Sequence, residues 1–179
     1  MEVNTKVNLS GLILDNPVIP ASGTFGFGKE YVDFYDINIL GSISIKGTTV
    51  QRRKGNPQPR IAECYSGLIN SVGLENPGME NVIQKELKDL EKIYRKPVIA
   101  NISGFSVEEY ITLAKEMDKV DNVGIIEVNI SCPNVDHGGL AFGTNADNVR
   151  ELTKKIKEVT TKPIYMKLSP NVTDIKEIA

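Results

Sequence analysis

The sequence predicts an α/β protein, built as part of a parallel (β/α)8 barrel with a β-hairpin in front of it. Short, almost continuously apolar segments alternate with segments of helical periodicity, as in parallel sheets covered by helices. Within several of these strands one face is aliphatic and the other is mixed. Polar side chains recur near the ends of the strands, which is the edge where such barrels place their functional groups. An open doubly wound sheet fits less well, because Gly23, Gly26 and Gly28 lack the dinucleotide-binding spacing.

The predicted elements follow one another in the order of this architecture. Residues 2–14 alternate polar and apolar side chains around Ser10 and Gly11, which predicts a hairpin. Five strands are predicted at 17–22, 42–46, 97–101, 124–130 and 163–168, and helices at 79–95, from Ser106, at 146–159 and from Val172. Residues 50–78 are rich in proline and glycine, and we expect them to form an ordered, functional loop.

The strand at 124–130 shows how the two faces differ. Ile126 and Val128 lie on one face, whereas Glu127 and Asn129 lie on the other. We therefore expect the aliphatic face to meet helices and the mixed face to point into the barrel. An unpaired carboxylate is costly in that position, so Glu127 is expected to pair with a barrel lysine such as Lys46.

The amino-acid composition argues against several classes of function. The chain has 179 residues, 40% hydrophobic content and a net charge of -2, which indicate one domain over residues 1–179 with no nucleic-acid or membrane surface. Cys64 and Cys132 are too few for a disulfide framework or an iron–sulfur cluster, and no metal site is expected. Without a signal or membrane segment, we expect a cytoplasmic protein. A full barrel usually needs about 250 residues, so five strand–helix units indicate an incomplete barrel.

A few residues at strand ends have the chemistry of an active site. Cys132 follows a strand end and precedes a proline, where a thiol can act as a base or nucleophile, although a buried structural cysteine is the alternative. Lys46 and Lys167 each end an apolar strand and indicate an anionic ligand, an anionic intermediate or a Schiff base. His137 is interpreted as a surface residue. Amide side chains suited to a planar, amide-rich ligand occur at Asn70, Asn101, Asn129 and Asn134.

Motifs in the same order through nearly the whole chain resemble those of the class 1 dihydroorotate dehydrogenases, and among them the flavoprotein subunit of the NAD-linked subtype B. None of these motifs is specific alone, but together they are. They lie at residues 16–26, 46–49, 55–60, 70–78, 129–134, 137–139 and 167–171.

The resemblance implies an FMN-binding (β/α)8 TIM barrel that oxidises dihydroorotate to orotate in pyrimidine biosynthesis. It makes Cys132 the base that removes the C5 proton while a hydride passes from C6 to the flavin. It assigns the substrate to Lys46, Asn70, Ser71, Val72, Gly73, Leu74, Asn129 and Asn134. It assigns FMN to Ser22, Lys46, Gly47, Asn101, Asn129 and Lys167, with Lys167 near the N1/C2 edge of the ring.

The resemblance also implies a homodimer and an electron-transfer subunit with FAD and a 2Fe–2S cluster, through which NAD is the final acceptor. In this fold the flavin phosphate lies on the loops after the seventh and eighth strands of the complete barrel. We therefore expect these 179 residues alone to bind FMN poorly. Three alternatives stay open at this point. They are a flavoenzyme like dihydropyrimidine dehydrogenase, a Schiff-base aldolase that uses Lys167, and an inactive fragment.

Overall fold

The structure, a computed structural model, describes residues 3–131 and 140–179. Its strands are β1 (Val7–Leu9), β2 (Leu12–Leu14), β3 (Ile61–Cys64), β4 (Gly67–Asn70), β5 (Val98–Ile102), β6 (Val123–Asn129) and β7 (Ile164–Lys167). Its helices are α1 (Ser22–Phe25), α2 (Met79–Asn81), α3 (Leu87–Ile93), α4 (Val107–Asp118), α5 (Leu140–Gly143), α6 (Ala146–Lys157) and α7 (Ile175–Ile178). A π-helical turn, Val82–Glu86, joins α2 to α3, and 3-10 turns lie at Lys29–Tyr31 and Ile37–Ile39. Among the described residues, no helix could cross a membrane.

Four parallel segments lie side by side in the order in which they occur along the chain. β5, β6 and β7 are hydrogen-bonded neighbours. Residues 42–48 run parallel to β5, which they meet at the bridging pairs Ser44–Ile99 and Thr48–Ile102. A doubly wound sheet would reverse its strand order at a switch point, whereas a barrel adds each strand beside the previous one. The described order contains no reversal, which supports the predicted barrel.

The predicted strand at 17–22 is wrong. The segment runs beside residues 41–44, where the carbonyl of Val18 accepts from the Gly41 N–H at 3.0 Å. Pro17 and Pro20 carry no N–H group, so the segment cannot donate at those positions in a regular ladder. Ser22, expected at the end of this strand, is instead the first residue of α1.

The hydrophobic core lies between the aliphatic strand faces and the helices, as the alternation of side chains predicts. Ile43, Ile126 and Val128 are fully buried in one cluster with residues from α3, α4 and α6. The buried side of α4 consists of Tyr110, Leu113, Ala114 and Met117. These contacts fix the direction of each strand and so the direction of the polar side chains on its other face.

The sequence predicts one of the two β-hairpins but not the other. β1 and β2 form the predicted antiparallel pair, and the Ser10 and Tyr165 hydroxyls are 2.6 Å apart, which places this hairpin against β7. The pair β3–β4 within residues 50–78 was not predicted. All eight of its residues are exposed, so it has no buried face to produce an alternating pattern.

The loop between α6 and β7 is attached to the end of α4 by Asp118. Its carboxylate accepts from the Thr160 hydroxyl at 2.5 Å and from the N–H groups of Thr161 and Lys162 at 2.9 and 3.2 Å. The hydrogen bond from Thr160 is the main reason that the pKa of Asp118 is lowered.

Because the folded state lowers this pKa, Asp118 stabilises the fold fully above its ordinary pKa, and less as the pH falls through the lowered value. We expect Asp118→Asn to reduce the free energy of unfolding at neutral pH by about 1 kcal/mol, with a difference that shrinks under acid. Urea unfolding at several pH values measures this. Asp147→Asn, which removes an exposed carboxylate paired with Arg150, is the control and should change little. A pH-independent effect of Asp118→Asn would contradict the argument.

Candidate functional site

The carboxyl ends of the four parallel segments form one polar edge. We call it the C-terminal edge and define it as residues 46–48, 101–103, 129–131 and 167–169. Its parts are held together by main-chain bonds: the Thr48 N–H donates to the Asn101 carbonyl at 2.9 Å, and Asn129 is paired with Lys167 across β6 and β7. Five of the predicted cofactor residues lie on this edge, namely Lys46, Gly47, Asn101, Asn129 and Lys167.

Asn101 is fully buried and its amide is oriented by Glu127. The Asn101 Nδ2 donates to the Glu127 carboxylate, which also accepts from the Ser44 hydroxyl at 3.3 Å. Both of these partners of Glu127 are neutral. The expected ion pair between Glu127 and Lys46 stays a prediction.

The Asn101 Oδ1 and the Ser103 Oγ are buried without a hydrogen-bond partner in the described part of the chain. Both lie beside the α-carbon of Gly47: a β-carbon added there would be 2.7 Å from the Asn101 Oδ1 and 3.6 Å from the Ser103 Oγ. A buried polar atom without a partner costs about 1–3 kcal/mol, so such atoms in a native structure usually have a ligand or a water as partner. The arrangement therefore indicates a binding site.

Asn129 is held at the point where the chain leaves β6. Its carbonyl accepts from the Tyr110 hydroxyl at 2.7 Å, which ties the strand end to α4. Its Oδ1 accepts from the N–H and hydroxyl of Ser131 at 3.2 and 2.9 Å. The side chain is buried, and these two hydrogen bonds hold Ser131 beside it.

Residues 70–74, the predicted substrate loop, extend from the exposed hairpin to the C-terminal edge. Asn70 and Ser71 are exposed, whereas Gly73 is buried. Leu74 reaches the edge, since its Cδ1 would lie 3.1 Å from a β-carbon on Gly47. Its backbone has a positive φ of 60° and its carbonyl accepts from the Asn76 Nδ2 at 2.9 Å. The structure therefore brings Leu74 to the site but leaves Asn70 at the end of β4.

Ser22 and Lys46 are linked through the turn after α1. Ser22 is buried at the start of that helix, and the Lys46 N–H donates to the Gly26 carbonyl at 2.8 Å, just beyond the helix end. The segment that carries Ser22 is thus attached to the C-terminal edge even though it is not a strand. Cys132, Asn134 and His137 lie outside the described residues.

Sequence reasoning missed Ser103, although a signal was present. Ser103 continues the alternation of Ile99 and Asn101 and so lies on the face that points into the barrel. It was overlooked because β5 was expected to end at residue 101, whereas the strand continues to Ile102. The hydrogen bond between Glu127 and Asn101 could not be read from spacing, because it depends on the register between β5 and β6.

These side chains fit the ring of a flavin. Lys46 and Lys167 supply positive charge, and the buried amides and the Ser103 hydroxyl offer hydrogen bonds. Gly47 has no side chain, which allows Asn101 and Leu74 to approach its α-carbon closely. A planar, electron-accepting ring with carbonyl and N–H groups matches this combination.

Known proteins are similar to this chain over almost all of its length. A family model described as dihydroorotate dehydrogenase matches residues 4–179. The "Dihydroorotate dehydrogenase B (NAD(+)), catalytic subunit" of Bacillus cytotoxicus is 57% identical over 174 residues, and the protein of the same name from Bacillus thuringiensis is 56% identical. Each match covers 97% of this chain and 56% of the relative, so the chain spans little more than half of their length.

A solved structure shows the same fold at low sequence identity. It is DHODH from Eimeria tenella in complex with ferulenol, with a TM-score of 0.78 and 19% identity. The match covers 98% of this chain and 55% of that one. Together with the family model and the relatives from Bacillus, it confirms the fold that the sequence predicts. The chain belongs to the dihydroorotate dehydrogenase family.

Proposed function

We propose that this chain is the FMN-binding part of a dihydroorotate dehydrogenase of the NAD-linked subtype B, which oxidises dihydroorotate to orotate in pyrimidine biosynthesis. The observation that carries the proposal is the C-terminal edge, where Lys46, Gly47, Asn101 and Lys167 lie at the carboxyl ends of adjacent parallel segments. Two relatives from Bacillus named as catalytic subunits of this enzyme support it.

FMN binds along this edge in our proposal. When bound, FMN would accept the hydride that leaves C6 of dihydroorotate. Lys167 would lie on the side of the ring that gains negative charge on reduction, and its positive charge would stabilise that charge. Ser22, Lys46 and Asn129 hold the ring with Gly47 and Asn101. The phosphate would be held by other residues, since TIM barrels usually bind phosphate on the loops after their last two strands.

The substrate binds between the C-terminal edge and the loop that ends at Leu74. Lys46 neutralises its carboxylate, and the loop residues 70–74 with Asn129 and Asn134 bind the amides of its ring. Because Leu74 is already beside Gly47, the loop covers the edge and excludes water from the reacting atoms.

Cys132 removes the proton from C5. Asn129 and Ser131 are held at the end of β6 by their hydrogen bonds, and Cys132 is the next residue in the sequence. A thiol has an ordinary pKa of ~8.5, so we expect the reaction to be faster at mildly alkaline pH.

Electrons leave through another chain. The proposed partner is an electron-transfer subunit with FAD and a 2Fe–2S cluster, which reduces NAD; a homodimer of the catalytic chain completes the proposed assembly. Within this sequence two cysteines cannot ligate such a cluster, which normally takes four thiolates.

Formation of orotate by the intact protein tests the proposal. Dihydroorotate should be oxidised, whereas dihydrouracil, which has the same ring without the carboxylate, should react far more slowly because it lacks the group that we assign to Lys46. Equal rates with both compounds would favour an enzyme like dihydropyrimidine dehydrogenase. Trapping of the substrate on Lys167 by borohydride, without any flavin spectrum, would favour an aldolase.

A further inference from the structure

The contact between Glu127 and Asn101 has a consequence for the ligand. A carboxylate can accept hydrogen bonds but cannot donate them, so the amide of Asn101 must turn its Nδ2 toward Glu127. The Asn101 Oδ1 must then face the other way, toward Gly47, where it is buried without a partner among the described residues. Glu127 therefore orients the amide of Asn101 so that its Oδ1, and not its Nδ2, faces Gly47 at the C-terminal edge.

We propose that Glu127 is a positioning residue, which holds Asn101 so that its carbonyl oxygen accepts a hydrogen bond from a ring N–H of the bound ligand. The inference rests on the proposed function, in which the ligand is FMN. An oxidised flavin ring carries a single N–H group, between two carbonyls. With the amide reversed, an N–H of Asn101 would face that N–H, and both donors would lack an acceptor.

The position of Glu127 fits this role better than a role in the core. It lies on β6 directly opposite Asn101 in register, on the face that points away from the helices. Its second partner, Ser44, is on the segment that leads to Lys46 and Gly47. The carboxylate thus connects three of the four parallel segments just below the C-terminal edge.

Titration of the intact apoprotein with FMN, followed by quenching of flavin fluorescence, measures the effect. Glu127→Leu removes the acceptor and is expected to weaken FMN binding by more than about tenfold, since hydrogen bonds to charged groups are the stronger class. Glu127→Gln is expected to have a smaller effect, because the introduced amide can still accept from Asn101. Asn101→Asp should weaken binding most, because it places two carboxylates together.

The double variant Asn101→Asp with Glu127→Gln is the decisive one. The introduced glutamine can donate to the introduced carboxylate, whose second oxygen then faces Gly47 as the Asn101 Oδ1 did. The double variant should therefore bind FMN more tightly than Asn101→Asp alone by about tenfold or more. Relief of the repulsion between two carboxylates contributes to this recovery, so the double variant is also compared with the wild type, which has the same net charge. The comparison also stays informative if Glu127→Leu does not fold.

Asp118→Asn is the matched control for stability. It also removes a carboxylate that binds neutral donors, but Asp118 ends α4 and binds the loop before β7, at the opposite end of the strands from the C-terminal edge. It should lower stability without changing FMN affinity. Wild-type affinity in Glu127→Leu, or no recovery in the double variant, would overturn the positioning role while leaving the proposed function intact. A wild-type protein that binds no FMN would overturn both.

Discussion

Replacing Cys132 with alanine in the intact protein is expected to slow reduction of the bound flavin by dihydroorotate by about 10²–10⁴-fold, the usual contribution of a positioned base. FMN binding should be nearly unchanged, because the ring is held by residues of the C-terminal edge. Stopped-flow absorbance in the absence of oxygen measures the rate directly.

The other cysteine provides the control for Cys132. Cys64 ends β3 in the exposed hairpin, and Cys64→Ala should reduce the flavin at the wild-type rate. If Cys132→Ala also retained the wild-type rate, the base would have to be another residue and the proposed roles after β6 would be wrong. If Cys64→Ala alone slowed the reaction, the base would have been assigned to the wrong cysteine.

Gly47→Ala is expected to weaken FMN binding by more than tenfold and to lower the free energy of unfolding by about 1–3 kcal/mol. The added methyl group would lie 2.7 Å from the Asn101 Oδ1 and 3.1 Å from the Leu74 Cδ1. Leu74 can move, but Asn101 is fully buried and held by Glu127. The variant must therefore displace a residue that we assign to the ring. Fluorescence titration with FMN and urea unfolding measure the two effects.

Gly23→Ala is the matched control for the added methyl group. A β-carbon at Gly23 has no heavy atom within 4 Å, so this variant should keep the stability of the wild type. Tight FMN binding by Gly47→Ala would contradict the account of the edge, because it would show that the close approach of Asn101 to Gly47 has no role in the site.

Strands with a buried face can be predicted from this sequence, because burial requires apolar residues. An exposed strand cannot be predicted in this way, because it needs no such residues. β5, β6 and β7 were found at nearly their observed positions because each is a short, almost continuously apolar segment between segments of helical periodicity. The hairpin β3–β4 was missed because it is exposed throughout. The segment at 17–22 was apolar enough for a strand, but its prolines prevent a regular ladder.

The same distinction holds for the site. Lys46, Asn129 and Lys167 were identified because each ends a recognisable strand, and the structure places them on one edge. The hydrogen bond from Asn101 to Glu127 could not be predicted, because it joins residues 26 positions apart whose register is set by packing. The contact of Leu74 with Gly47 could not be predicted either, because it depends on how residues 50–78 fold back toward Gly47. The end of this loop is attached there by the Met79 N–H, which donates to the Thr49 carbonyl at 2.8 Å.

The visible absorption spectrum of the purified intact protein tests the central claim most directly. We predict a flavin spectrum that bleaches when dihydroorotate is added in the absence of oxygen, with formation of one orotate for each flavin reduced. A protein that carries no flavin after reconstitution with FMN, or one whose flavin stays oxidised with dihydroorotate, would contradict the account.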